Sequence, residues 1–306
     1  MKPYIESILL ILAIIAGSLT GLFTSYEASL TDFFIIAMLF LLFYNMSPAD
    51  FFEGIKNKKY IGIALLSNFV IIPIIAYLAC TVFVDKSSVI FSGLIIYLVA
   101  PCTDWFLGFT KLAKGDVKVN SALLPLNLLL QFLFLPVYLH LFTSNRMAVP
   151  MEVFLEVFIF WVLLPFLAAQ ITRWIVQKFA KGLLVRTNAV VEILLPITIV
   201  LLVFTIFNSN VESVLENVAI LPKVFVVIVT FFIATFFVSR FIARRSTFSR
   251  GKEISLIMTT AARNAPLMLL VSLLFFPDQP LIHLILVIGM LVEFPHLITI
   301  TYLLKR

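Results

Sequence analysis

The segment Ala100-Pro101-Cys102-Thr103-Asp104 puts a thiol, a hydroxyl and a carboxylate directly after a proline, inside an otherwise apolar stretch. A thiolate is a ligand for soft metal and metalloid ions, and a carboxylate at such a place can hold a cation or carry a proton. A second polar interruption, Arg263-Asn264-Ala265-Pro266, adds a guanidinium and a carboxamide. Asn68, Asn127, Gln131 and Glu293 are further polar side chains among apolar neighbours. These groups suit ligand binding, and no catalytic cluster accompanies them. His140, His283 and His296 are scattered rather than set at zinc-ligand spacing, and no Gly-x-x-x-x-Gly-Lys-Ser/Thr phosphate loop occurs. The chain therefore reads as neither an enzyme nor an ATPase, and no cofactor is implied.

The elements that must position these groups follow from composition. Hydrophobic residues make up 62% of the 306 positions and charged residues 12%, with 32 phenylalanines. A soluble domain carries about 25% charged residues. Mean hydropathy is +1.13. The solvent such a chain expects is a lipid bilayer, and its fold class is an all-α polytopic membrane protein. The net charge of +6 does not point to nucleic acid, because Lys and Arg fall in short loops between apolar spans, where they set orientation. The only cysteines, Cys80 and Cys102, lie in apolar segments, which excludes a disulfide framework. The start, Met1-Lys2-Pro3-Tyr4 followed by a long apolar run, reads as a signal anchor rather than a cleaved signal peptide.

At roughly 20 residues per span, ten transmembrane helices are predicted over 5–24, 30–47, 60–83, 88–112, 119–143, 152–178, 187–208, 221–244, 253–276 and 279–304. Charge supports that number. Lys86, Arg146 and Lys223 fall on one side, Arg263 within a span, and every other Lys and Arg on the side of both termini. Both ends are thus expected in the cytoplasm. The chain divides near 144–151 into halves of five spans, 1–143 and 152–306, each with its fourth span interrupted. Five is an odd number, so the second half enters from the opposite side as an inverted repeat. The discontinuous helices 4 and 9 are expected to cross near the midplane, an arrangement in which secondary transporters build their sites.

Each polar residue also has a plainer reading. Asp104 could cap the second half-helix, or it could handle substrate or protons. Cys102 could be a small packing residue, or a thiolate favoured beside a helix N-terminus. Arg263 needs an anion, Asp104 or Glu293, and that pair would either lock the half-helices together or open when substrate or a proton binds. Asn68 and Gln131 read as bonds between neighbouring helices.

Pro101-Cys102-Thr103, then Leu112-Ala113-Lys114-Gly115-Asp116 and Asn127, resembles the arsenite efflux permeases of the bile acid:sodium symporter superfamily. Leu291-Val292-Glu293-Phe294-Pro295 is similar to the closing motif of those permeases, and Ser47-Pro48-Ala49-Asp50-Phe51 to the superfamily's turn before the third span. The resemblance implies a panel of spans 1, 2, 6 and 7 and a core of spans 3, 4, 5, 8, 9 and 10. It implies substrate binding at the crossing, with Cys102 as the As(III) ligand, and it matches Asn127 to a polar residue and Asn68 to a sodium-site glutamine. The symporters' sodium-binding Glu and Gln fall on Thr259 and Arg263, and their Ser-Asn pair on Phe106 and Leu107. Pro266 falls near an acidic position of the permeases, and Asp104 replaces a small residue.

The expectation is a multi-pass transporter of the cell membrane that exports arsenite or antimonite. Its partners are the lipid bilayer, a metalloid or small-molecule substrate, and a proton or sodium gradient. Cys102, Thr103, Asp104, Asn127, Arg263, Asn264 and Glu293 form the substrate set, and Asp104 and Asn68 handle the coupling ion. The alternative is ion-coupled transport of an organic or inorganic anion, with Arg263 binding its charge.

Overall fold

The computed structural model describes residues 3–24, 28–45, 55–103, 106–143, 152, 155–156, 158–209, 211–216 and 218–305. The expectations placed on Ser47 to Phe51, on Asp104 and on 144–151 lie outside the described residues. Among those described, every element is helical apart from one isolated bridge between Pro101 and Arg263.

The main helices are α1 (Pro3–Gly21), α2 (Ala28–Asn45), α3 (Lys58–Phe83), α4 (Val89–Val99), α5 (Phe106–Leu112), α6 (Val117–Phe142) and α7 (Phe158–Phe179). They continue with α8 (Lys181–Ser209), α9 (Val211–Glu216), α10 (Leu221–Arg245), α11 (Arg250–Ala261), α12 (Ala265–Phe275) and α13 (Pro280–Lys305). Each predicted window carries helix, the fourth and ninth as two pieces. Among the described residues, six stretches are long and apolar enough to cross a membrane, and four shorter apolar helices accompany them. Leu66, Val70, Ile74, Leu78 and Val82 form an exposed apolar row on α3, as do Leu129, Leu133, Val137 and Leu141 on α6. Spacing by four puts each row on one helix face, a surface suited to lipid and not to water. The chain is a multi-pass membrane protein.

The described chain clusters into two compact units. The first comprises Met1–Ser47, Val149–Val218 and Leu273–Pro280. There α1 lies against α8 so closely that a Cβ on Gly17 would meet the Phe204 carbonyl at 2.5 Å and one on Gly21 would run into the Asn208 carbonyl. Small residues let helix backbones approach in this way. The last carbonyls of α2 lack intrahelical donors. Side chains of α7 supply them: Gln170 Nε2 donates to the Phe43 carbonyl at 2.7 Å, and Arg173 donates to that of Tyr44.

The second unit comprises Pro48–Ala148, Ala219–Ser272 and Leu281–Arg306, and it contains both interrupted helices. Its α3 has a π-helical turn at Ser67–Ile71. Pro73 explains it: lacking an N–H, it cannot bond the Phe69 carbonyl one turn earlier. The Tyr138 hydroxyl donates to that carbonyl instead, at 2.6 Å. Asn68 sits within the distorted turn. The turn between α5 and α6 is fixed against α11. The Asp116 N–H donates to the Gly251 carbonyl, Asn120 Nδ2 to the Ser255 carbonyl, and the Tyr60 hydroxyl to Asn120 Oδ1 at 2.6 Å. Lys114 takes a left-handed conformation (φ 64°) there.

Candidate functional site

The two breaks meet. The residue before a proline is pushed out of the helical region, and Ala100 is extended (φ −90°, ψ 112°), ending α4 at Val99. Ala262 is extended too (φ −88°, ψ 138°), ending α11 at Ala261. The extended pieces run antiparallel: the Cys102 N–H donates to the Ala262 carbonyl at 3.1 Å, and the Asn264 N–H to that of Ala100 at 3.0 Å. Pro101 and Arg263 form the non-hydrogen-bonded pair between these bonds, where a missing N–H costs nothing. Pro266, the second residue of α12, likewise lies where a helix needs no N–H.

Breaking the helices frees carbonyls at their C-terminal ends. Leu98 would have bonded the Cys102 N–H, Thr259 that of Arg263, and Thr260 that of Asn264. The guanidinium of Arg263 gathers all three: Nη1 donates to Leu98 at 3.1 Å, and Nη2 to Thr259 at 3.4 Å and Thr260 at 2.6 Å. The guanidinium lies 5.8 Å from the centre of the Phe231 ring, and Arg263 is wholly buried. Glu293, one of its two prospective anions, meets Arg263 through the backbone, accepting its N–H at Oε1 (2.9 Å). Oε2 of Glu293 lies 3.2 Å from the Tyr97 hydroxyl, which also donates to the Gly289 carbonyl at 2.9 Å. The expected need for an anion is met in part by Glu293, whose charge favours the buried guanidinium, and in part by the carbonyls that the breaks free. Asp104, the other prospective partner, lies outside the described residues.

Carboxamides flank the crossing on α3, α6 and the second break. Asn68 Nδ2 donates to Thr259 Oγ1 at 3.2 Å and to Asn127 Oδ1 at 3.4 Å, and Asn127 Nδ2 donates to the Cys102 carbonyl at 3.3 Å. Asn264 Nδ2 donates to Thr103 Oγ1 at 2.9 Å and to Gln131 Oε1 at 3.2 Å. All of these residues and Cys102 are buried, and Cys102 is not in a disulfide. Among the described residues, Asn68 Oδ1, Gln131 Nε2 and Asn264 Oδ1 are buried atoms without a hydrogen-bond partner. Unpaired buried polar atoms are costly and call for an explanation such as a ligand or water. The set can accept and donate hydrogen bonds around a neutral polar molecule while offering a thiol.

Of the residues expected at the site, Asn68, Cys102, Thr103, Asn127, Arg263, Asn264 and Glu293 are brought to one place. Gln131, read from sequence as a bond between helices, belongs there as well. Its spacing of four from Asn127 puts both on one face of α6. Tyr97 was not foreseen; a phenol in an apolar run carries little signal. The Lys114-Gly115-Asp116 motif lies in the α5–α6 turn that docks on α11, where its contacts are structural.

The Sodium Bile acid symporter family matches residues 32–217 of the chain. Two proteins named arsenical-resistance protein Acr3 are similar. That of Corynebacterium glutamicum is 23% identical over 260 residues, covering 80% of this chain and 70% of the relative. That of Alkaliphilus metalliredigens is 26% identical over 294 residues, covering 89% and 81%. Symporters are transporters and not enzymes, in keeping with the apolar helices. The chain belongs to the sodium bile acid symporter family.

Proposed function

We propose that the chain exports trivalent arsenic or antimony through the paired breaks, with Cys102 as the thiolate ligand. The observation that carries this reading is a buried thiol set beside three carboxamides whose Asn68 Oδ1, Gln131 Nε2 and Asn264 Oδ1 atoms lack partners among the described residues. Arsenous acid is neutral at physiological pH, presents hydroxyls that donate and accept, and holds a soft As(III) centre suited to sulfur. Thr103 and Asn127 orient the set, Asp104 serves proton coupling, and Glu293 holds the second break in place. The two relatives are named for arsenical resistance, which export of arsenite would confer.

The frame of this reading is ten spans in two inverted halves with both termini cytoplasmic, supported by helix in each window and by the distribution of Lys and Arg. A panel of spans 1, 2, 6 and 7 and a core of the other six are supported by the way the described residues cluster. Anion transport through Arg263 is the weaker reading, because both Nη atoms are engaged by carbonyls. The test is arsenite resistance in a sensitive host. Cys102→Ser should lose it while remaining in the membrane, and unchanged resistance overturns the assignment.

A further inference from the structure

The family's name includes sodium, and the carbonyls at the crossing are the kind of group that holds a dissociable cation. Half-helix C-terminal ends and unwound carbonyls carry the negative end of the helix dipole and coordinate coupling cations in broken-helix transporters. Here three such carbonyls, Leu98 from the end of α4 and Thr259 and Thr260 from the end of α11, converge on one point. That point is taken by the guanidinium of Arg263, through bonds of 3.1, 3.4 and 2.6 Å. A guanidinium stays protonated under all physiological conditions. Arg263 is also wholly buried and anchored at its backbone by Glu293, so it does not leave.

We propose that Arg263 is a tethered cation that fills, permanently, the position an alkali-metal ion would need, so that this chain works without bound sodium at the crossing. Three further observations support it. The side chain springs from the second break and satisfies two carbonyls freed there, Thr259 and Thr260, together with Leu98 from the first. The ring of Phe231 flanks the guanidinium, and an aromatic face favours a cation there. The neighbouring α5 begins with buried, apolar Phe106, which offers no side-chain oxygen for a metal ion. Hard cations such as sodium and calcium need several oxygens at once.

The inference deepens the transporter reading, but its test needs no substrate, so the metalloid assignment can fail while this one stands. Purified full-length protein is unfolded thermally in sodium, potassium or N-methylglucamine chloride at equal ionic strength. The unaltered protein should melt at the same temperature in all three; a rise specific to sodium overturns the proposal. Arg263→Ala leaves three carbonyls facing a void. It should melt lower, and about 2 °C or more higher in sodium or potassium than in N-methylglucamine, because a ligand of the folded state stabilises it. Arg263→Lys retains the charge and should stay indifferent to the salt. Should Arg263→Ala be recoverable as folded protein only in an alkali-metal salt, the proposal is supported. A folded Arg263→Ala that ignores all three salts overturns it, as does one lost in every salt while Arg263→Lys folds.

Discussion

Asn127 and Gln131 stand one turn apart on α6 and hold different helix breaks. Asn127 donates to the Cys102 carbonyl in the first, and Gln131 accepts from Asn264 in the second. One helix face thereby registers the two discontinuous helices against each other, beside their own backbone pairing. The two residues are not equivalent. Asn127 also accepts from Asn68, so its loss removes two bonds, including one to the Cys102 carbonyl, and leaves Asn68 bonded to Thr259, whereas loss of Gln131 removes one and leaves Asn264 still bonded to Thr103.

Asn127→Leu should therefore cost more stability than Gln131→Leu. Leaving buried partners unsatisfied costs about 1–3 kcal/mol, while a single bond between helices in a membrane is worth nearer 1 kcal/mol. Denaturant unfolding of both variants in one detergent measures the difference. Equal losses would mean that the bond to Cys102 is not stabilising.

Gly115 is where the Lys-Gly-Asp motif becomes physical. A Cβ there would meet Thr110 Cγ2 at 2.7 Å, Ile254 Cγ2 at 3.0 Å and Ser255 Oγ at 3.1 Å. Gly115→Ala should destabilise the protein by about 1–3 kcal/mol through overpacking and loosen the α5–α6 turn from α11. Protease sensitivity of that turn, compared with Gly108→Ala, where the added Cβ meets nothing within 4 Å, gives the check.

Both breaks were legible because proline and stranded polar residues mark them in an apolar chain. So was the gathering of Cys102, Asn127, Arg263 and Asn264. Glu293 was legible as an anion for Arg263, but the groups that take the hydrogen bonds of the guanidinium were not. Its acceptors are main-chain carbonyls of Leu98, Thr259 and Thr260, and a backbone oxygen freed by a break has no letter of its own. The same holds for Tyr138, whose acceptor exists because Pro73 lacks an N–H. Gln131 could have been placed by its spacing from Asn127, a pattern that reads equally well as ordinary helix packing.

The turn before α4 carries a pH dependence of definite sign. The Ser87 N–H and hydroxyl both donate to Asp85 Oδ1, at 2.8 and 2.7 Å, and together they hold the Asp85 carboxyl below its ordinary value. A depressed native value means the turn is stabilised above the ordinary carboxylate range and loses that support as pH falls through the lowered value. Ser87→Ala should move the Asp85 titration upward, which NMR of the carboxyl carbon reads directly. Ser88 next to it caps α4, accepting the Phe91 N–H at 3.2 Å, and is left intact by that substitution.

Glu293 offers the sharpest separation of shape from charge. Its Oε1 accepts the Arg263 N–H, a bond that a carboxamide oxygen can make as well, and Oε2 lies beside the Tyr97 hydroxyl. Glu293→Gln should keep the backbone of the second break in place and melt close to the unaltered protein. Glu293→Leu leaves a buried N–H without an acceptor and should lose about 1–3 kcal/mol. Gly289→Ala tests the same corner from the other side, since its Cβ would lie 2.5 Å from the Tyr97 ring and drive the phenol off the Gly289 carbonyl. With stability so controlled, transport by Glu293→Gln isolates the carboxylate's ability to gain and lose a proton. A folded Glu293→Gln that transports with an unchanged pH profile confines Glu293 to architecture, and a folded variant without transport assigns it to proton handling.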